Sequence, residues 1–236
     1  MTKSNFFDIQ IGHFDFNSLN NLIKGIVWSN KKEIVLNVNI HCMNLINRDS
    51  KLKGLFQNTE NIFCDGDGVR VFSNLVSDKI PEKITYNRWI WDFAEFSSKN
   101  SLSWYIIASE FETVQKATRK LEARYPELKI LGFRSGFFSS EKEIEQSIQE
   151  LNTVRPHILF LGMGMPKQEY FLMDYWDKIE ANVALTAGAA FKYVAGEAKM
   201  TPAIFYNLKL EWFYRFLQEP KRLFKRYFIG NLLFLK

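Results

Sequence analysis

The sequence predicts an α/β fold, a parallel sheet covered by helices on both faces, followed by a short helical appendage. Three observations lead there. Short, largely apolar runs such as EIVLNV at 33–38 and HILFL at 157–161 have the pattern of strands buried on both sides. They alternate with stretches of helical spacing, the arrangement that builds parallel sheets. Beyond Pro202 only helical signals remain.

In chain order, residues 7–14 alternate weakly and read as an edge strand. Residues 33–38 form a buried strand, with a helix starting from about His41. Residues 62–64 are a short strand running into Asp65-Gly66-Asp67-Gly68, whose composition is that of a turn. Residues 104–108 and 129–132 are strands. Between them, Val114, Ala117, Leu121 and Tyr125 recur at helical spacing over 111–125. A polar helix follows at 141–151, then the strand at 157–161. Residues 166–176 read as a helix with Pro166 at its first position. The last strand is 182–186. Helices after Pro202 break at Pro220 and stop near Gly230. The expected organisation is an α/β body over 1–202 and an appendage over 203–236.

Composition narrows the class. The 236 residues are 47% hydrophobic and 24% charged, a globular balance that can close a core without staples. Cys42 and Cys64 give neither a disulfide framework nor a C-x-x-C pair, so a reducing compartment is expected. No secretory h-region and no apolar run of the roughly 20 residues needed to span a bilayer is present. The net charge of +5 is concentrated in the appendage. Lys209, Arg215, Lys221, Arg222, Lys225, Arg226 and Lys236 stand there against Glu211 and Glu219, leaving 1–202 neutral. Such a basic and aromatic end on a neutral body points to an anionic partner. Its long apolar stretch suits a membrane surface better than a nucleic acid.

Four segments can carry chemistry. LGMGMPKQE at 161–169 runs from a buried strand through a glycine turn into a helix start, where free amides and the helix dipole suit a phosphate or carboxylate. Lys167 stands where a dinucleotide fingerprint needs its third glycine, and a Walker ending is absent. The same spacing also serves a plain tight turn. Gln168, in the first turn of that helix, is expected to be exposed. DGDG at 65–68 places carboxylates at the end of a parallel strand, where ligands bind. Asp65 there suits a general base, and Asp65 with Asp67 a Mg²⁺ or Mn²⁺ site. Asn37 and Asn39 can orient a reacting group or cap the following helix. In the appendage, Arg222 and Arg226 share a helix face with Lys225 beside them.

D-G-x-G-V at 65–69, Y-P-x-L…G…G-[YF]-F over 125–138, G-x-G-x-P-K-Q-E at 162–169 and L-E-W-x-Y-R…E-P-x-R over 210–222 occur in register. Together they resemble the WecG/TagA/CpsF family of bacterial glycosyltransferases (glycosyltransferase family 26), over about residues 33–227. The resemblance implies a Rossmann-like body and inverting transfer of a sugar from a UDP donor to a polyprenyl-diphosphate-linked saccharide. The sugar would be N-acetylmannosamine-type, its uronate or glucose, and the setting cell wall, capsule or exopolysaccharide synthesis. Asp65 matches the catalytic base, and Asn37 and Asn39 the family's T-x-N. Gly136, Phe137, Gly162, Gly164, Lys167, Gln168, Glu169 and Lys83 match donor-binding positions, with Phe137 near the uracil. Arg215, Arg222, Lys225 and Arg226 match the positions expected to meet the acceptor diphosphate. The implied location is cytoplasmic, peripheral on the inner face of the membrane, and a homo-oligomer is compatible with it.

The chain departs from the family pattern in places. Where E-R-x-x-G-x-D is usual it reads EKITYNR over 82–88, so Lys83 replaces Arg and the G-x-D is lost. Lys192 replaces an acidic residue and Met200 an arginine. Position 67 is usually apolar in the family, which favours metal-independent catalysis over the Asp65/Asp67 pair. The alternative is a catalytically degenerate, membrane-associated scaffold of the same pathway. Retention of Asp65, Asn39, Gln168 and the arginines favours the enzyme.

Overall fold

The computed structural model describes residues 2–220 apart from 77–78, 203, 206–207 and 209. Its strands are β1 (Lys3–Phe6), β2 (Ile9–Gly12), β3 (Glu33–Val38), β4 (Asn61–Cys64), β5 (Ser103–Ala108), β6 (Lys129–Arg134), β7 (Ile158–Gly162) and β8 (Val183–Thr186). They form one sheet in the order β1-β2-β4-β3-β8-β7-β5-β6. The β1–β2 hairpin is antiparallel and the other pairings are parallel. The helices are α1 (Phe16–Trp28), α2 (Ile40–Ile46), α3 (Ser50–Asn58), α4 (Asp67–Val76), α5 (Tyr86–Lys99), α6 (Phe111–Arg124), α7 (Glu141–Val154), α8 (Lys167–Tyr175), α9 (Ala190–Ala195) and α10 (Glu211–Gln218).

Strand alternation divides the core into two layers. Trp104, Ile106, Ile158, Phe160, Val183 and Leu185 face one side, packed with residues of α1, α5, α6 and α9. Tyr105, Ile107, Leu159, Leu161, Ala184 and Leu36 face the other, with residues of α2, α3, α7 and α8. Adjacent strand residues thus enter opposite cores, as a pleat of period two requires. The sheet is Rossmann-like, as expected, with helices on both faces.

The N-terminal region differs from the expected edge strand at 7–14. Residues 3–12 fold as a hairpin whose turn residues, Phe7 and Asp8, both have positive φ (49° and 65°). This is the twist a two-residue hairpin needs, but Phe-Asp lacks the Asn-Gly signature that would announce it. The helix expected from Pro166 begins at Lys167, with Pro166 as its N-cap residue.

α1 and α5 escape the sequence reading and are joined by a buried polar contact. Asp15 caps α1 by accepting from the Ser18 amide, while Ser18 Oγ accepts from the Asp15 amide. One turn on, buried Asn20 accepts at 2.7 Å from Trp89 Nε1 and donates at 2.7 Å to Asp92 Oδ1. Trp89 stacks on Phe93 at 4.8 Å. An apolar replacement at 20 leaves the indole N–H buried and unpaired, which costs about 1–3 kcal/mol. Asn20→Leu is therefore expected to lower the urea-unfolding free energy by about that amount. Adding Trp89→Phe should give no second loss of the same hydrogen bond, and a double-mutant cycle measures this.

Candidate active site

Parallel pairing gathers the carboxyl ends of the strands along one edge of the sheet, where α/β proteins bind ligands. Asp65 sits there, half-buried, just beyond β4, its amide donating to the Val38 carbonyl at 2.8 Å. Asn37 Nδ2 donates to Asp65 Oδ2 at 3.2 Å, and Thr186 Oγ1 donates to Asn37 Oδ1 at 2.9 Å. Three neighbouring strands, β4, β3 and β8, thereby contribute one hydrogen-bonded chain. A carboxylate only accepts, so this chain fixes which way the Asn37 amide faces. The sequence did not single out Thr186. Only the β3–β8 pairing reveals it. Asn39 does not join the chain through its Oδ1, which caps α2 by accepting from the Cys42 amide at 3.1 Å.

The second group lies where β5 and β7 run side by side. The chain leaves β5 toward β6 at the sheet's rim and β7 toward β8, in opposite directions, which makes this the switch point at which open α/β sheets take their ligands. A Cβ on Gly162 would lie 2.6 Å from Ala108 Cβ and 3.1 Å from the Gly188 carbonyl, so only glycine permits this approach. A Cβ on Gly136 would meet Met163 at 3.0 Å and the Ala108 backbone at 3.3 Å. The turns are sewn together by Ser109 N to Gly162 O (3.0 Å), Gly136 N to Ser109 O (2.9 Å) and Ala187 N to Leu161 O (2.7 Å). Gly164 turns the chain at φ +81°. Phe137 is 55% exposed, and the Lys167 ammonium lies 5.8 Å from its ring centroid. Gly136, Phe137, Gly162, Gly164 and Lys167 are thus brought together, with an exposed aromatic and a cation at the mouth.

Gln168 is not exposed, contrary to expectation: both it and Glu169 are buried. Gln168 Oε1 accepts from Gly188 N at 3.0 Å, and its Nε2 donates to Glu169 Oε1 at 2.8 Å. The first turn of α8 is therefore tied down by the β8–α9 turn, a constraint invisible locally. Alanine at 168 would unpair Gly188 and Glu169 and cannot be neutral to folding. Burial pushes the Glu169 carboxyl up to about 7.

Lys83 is placed in an ion cluster. Its ammonium bridges Asp67 Oδ2 and, at 2.8 Å, Glu211 Oε2, while Arg70 Nη2 takes Asp67 Oδ1 at 2.9 Å. Burial pulls the Lys83 pKa down, but the two carboxylates override it and hold the ammonium above its ordinary value. Both Asp67 oxygens thus face cations rather than a point shared with Asp65. Lys192 and Met200 are exposed. Arg222, Lys225 and Arg226 lie outside the described residues, as does the side chain of Arg215.

The sequence profile of the Glycosyl transferase WecG/TagA/CpsF family matches residues 4–236. The N-acetylglucosaminyldiphosphoundecaprenol N-acetyl-beta-D-mannosaminyltransferase of Staphylococcus aureus (strain MW2) is 27% identical over 169 residues, 72% of this chain and 65% of the relative. Its Bacillus subtilis (strain 168) counterpart is 26% identical over 161 residues, 68% of this chain and 62% of the relative. The matched part spans less than two thirds of either relative's length. The chain belongs to the WecG/TagA/CpsF family.

Glu169 makes stability depend on pH. Its folded pKa of about 7 lies above the ordinary 4.5, so the native state holds a proton that the unfolded chain releases. Stability is full below about 4.5, falls as pH rises, and levels off above about 7, a change of about 3 kcal/mol at 1.36 kcal/mol per pKa unit. Glu169→Gln carries no such titration. Its unfolding free energy relative to wild type should improve by about 2–3 kcal/mol between pH 5 and pH 8 in urea melts. A difference that does not move with pH would show that Glu169 is not buried as a protonated acid.

Proposed function

We propose that this chain is an inverting glycosyltransferase that moves a sugar from a UDP donor to a polyprenyl-diphosphate-linked saccharide. The observation that carries the proposal is the Asp65 carboxylate, aimed by Asn37 from the strand beside it and set at the ligand-binding edge of a parallel sheet. A base in that position takes the proton of the acceptor hydroxyl as its oxygen bonds to the anomeric carbon. The bond from that carbon to the diphosphate breaks on the opposite side, and UDP leaves with the electron pair. Inversion follows from this single displacement.

The leaving diphosphate needs positive potential, and the start of α8 with Lys167 supplies it. Phe137 offers the uracil an exposed ring face. Three strand spacings separate β4 from β7, about 14 Å at about 4.8 Å per strand, a span that a nucleotide sugar laid across the strand ends would cover. The ion-paired state of Asp67 supports a reaction without a metal bridging Asp65 and Asp67.

The relatives' names motivate the substrates. We propose N-acetylmannosamine as the sugar and an N-acetylglucosaminyl-diphospholipid as acceptor, with the uronate and glucose donors as comparisons in one assay. Residues 203–236 are proposed to seat the protein on the inner face of the membrane, Arg215, Arg222, Lys225 and Arg226 meeting the acceptor diphosphate in the bidentate manner open to arginine. The exposed Trp212, Phe213 and Leu217 of α10 support a surface role for that segment. No helix among the described residues is long and apolar enough to cross a membrane.

Asp65→Asn should leave UDP affinity and melting unchanged while lowering UDP release with a lipid-diphosphate acceptor by roughly 10²–10⁴-fold. A variant turning over at the wild-type rate would remove Asp65 from the mechanism. Activity abolished by chelator and restored by Mg²⁺ or Mn²⁺ would reinstate the metal. For the appendage, vesicle sedimentation should require anionic lipid and weaken with salt, since each basic residue near such a surface contributes about 1 kcal/mol. Arg222→Ala with Arg226→Ala in the full chain should reduce it further. Binding indifferent to salt and lipid charge would refute this placement.

A further inference from the structure

The loop over 135–139 joins β6 to α7, carries the exposed Phe137, and is tied down at both ends. On the β6 side, Ser135 Oγ donates to the Ser109 carbonyl and accepts from the Phe137 amide, each at 3.1 Å. On the α7 side, Glu143 Oε2 accepts from the Ser139 amide at 2.8 Å and from the Ser139 hydroxyl at 2.7 Å. Glu143 is in turn held by Arg134, the last residue of β6. Arg134 Nη2 donates to Glu143 Oε1 at 2.7 Å, and its Nη1 donates to the Glu143 carbonyl at 3.3 Å and to the buried Ser147 Oγ. The same guanidinium lies 4.6 Å from the centroid of the Phe138 ring, which stacks on Phe171 of α8 at 5.8 Å. Phe138 thus packs against the core while its neighbour Phe137 is left exposed beside Lys167. The Ser139 amide and hydroxyl, and then Arg134, hold the Glu143 carboxyl below its ordinary pKa, so it is an anion at neutral pH. One guanidinium therefore joins the end of β6, the first turn of α7 and the packed ring of the loop.

We infer that Arg134 and Glu143 are positioning residues for the base of the nucleotide donor, holding the 135–139 loop so that the Phe137 ring is set in place for the base to stack on. A loop ordered beforehand loses less conformational freedom when the ligand arrives, and the saving appears as affinity. Arginine suits the task because its planar fork can meet several acceptors while its face rests on an aromatic ring, which a lysine cannot do. Neither residue touches the ligand in this account; both act through Phe137. The inference rests on the proposed reading of Phe137 as the surface that meets the uracil.

The test is calorimetric titration of the full chain with UDP and, separately, with inorganic pyrophosphate, which has no base. Phe137→Ala should weaken UDP binding roughly 10-fold or more, the scale of one base stacked on an aromatic side chain. Glu143→Gln and Arg134→Lys should each weaken it roughly 3- to 10-fold, the scale of ordering one more side chain on binding. Pyrophosphate affinity should stay at the wild-type value in all three, which a general loosening of the fold would not allow. Added to Phe137→Ala, Glu143→Gln should cost UDP binding nothing more, because the ring it acts through is gone. If Arg134→Lys melts too low to titrate, Glu143→Gln carries the test alone. Wild-type UDP affinity in Glu143→Gln, equal losses for UDP and pyrophosphate, or losses that multiply in the double variant would overturn the inference. If Phe137→Ala is weak while Glu143→Gln is normal, only the role of the Arg134–Glu143 pair fails. If Phe137→Ala binds UDP normally, or wild type binds no UDP, the proposed reading of the donor site fails and this inference with it.

Discussion

Every parallel strand pair here must be joined by a crossover, and that constraint sets the rest of the molecule. Each crossover places a helix on a face of the sheet, so both faces are covered and the central strands become apolar throughout. The same requirement sends all the carboxyl ends to one edge. Asn37, Asp65 and Thr186 lie far apart in the chain, yet successive strands bring them into one hydrogen-bonded line. Ser109, Gly136 and Gly162 meet for the same reason. There the approach is so close that Gly162 has no room for a Cβ and Gly136 only a tight fit.

The buried polar groups at such an edge must be satisfied by one another. Gln168 shows how far this goes. Its carbonyl holds the Gly188 amide and its amino group holds Glu169, so one side chain joins two turns. The remaining Glu169 oxygen is buried without a partner among the described residues, and burial raises its pKa accordingly. Cys64, next to Asp65, is pushed up to about 12, first by burial and then by the neighbouring carboxylate. A thiol so perturbed stays protonated at neutral pH and competes with Asp65 neither as base nor as nucleophile.

The strands and the glycine turn were legible because they depend on local composition. The apolar run at 157–161 and the glycines at 162 and 164 announce β7 and its exit within a few residues. What escaped depends on partners distant in sequence. α1 and α5 are amphipathic in ways that mix Asn and Ser into the buried side, and Asn20 is inside only because Trp89 and Asp92 meet it. Gln168 reads as an exposed first-turn residue until β8 delivers Gly188, 20 positions away. Thr186 reads as the end of a strand. Asp65 could be singled out beforehand because an acidic turn after a buried strand lies at the ligand edge whichever strands surround it.

The cluster around Lys83 is the case in which local reading is least informative and the physical consequence largest. Lys83 and Arg70 supply two positive charges, Asp67 and Glu211 two negative ones, and all four side chains are largely shielded from water. The set is neutral as a whole, and removing any one member leaves an uncompensated charge in a poorly solvated place. Asp67 is the first residue of α4, two positions after Asp65, and Glu211 is the first residue of α10. Each carboxylate also sits at a helix N-terminus, where the dipole favours it. Charge pairing thereby links the start of α10 to the turn that carries Asp65, while Trp212, Phe213 and Leu217 are exposed. A contact of this kind is sensitive to the charge of each member and indifferent to its volume. Arg88, which donates to the Thr201 carbonyl at 3.2 Å, ties the preceding segment to α5 in the same polar manner. Lys83 and Arg88, five residues apart, thus tie the start of α10 and the segment just before Pro202 to the body.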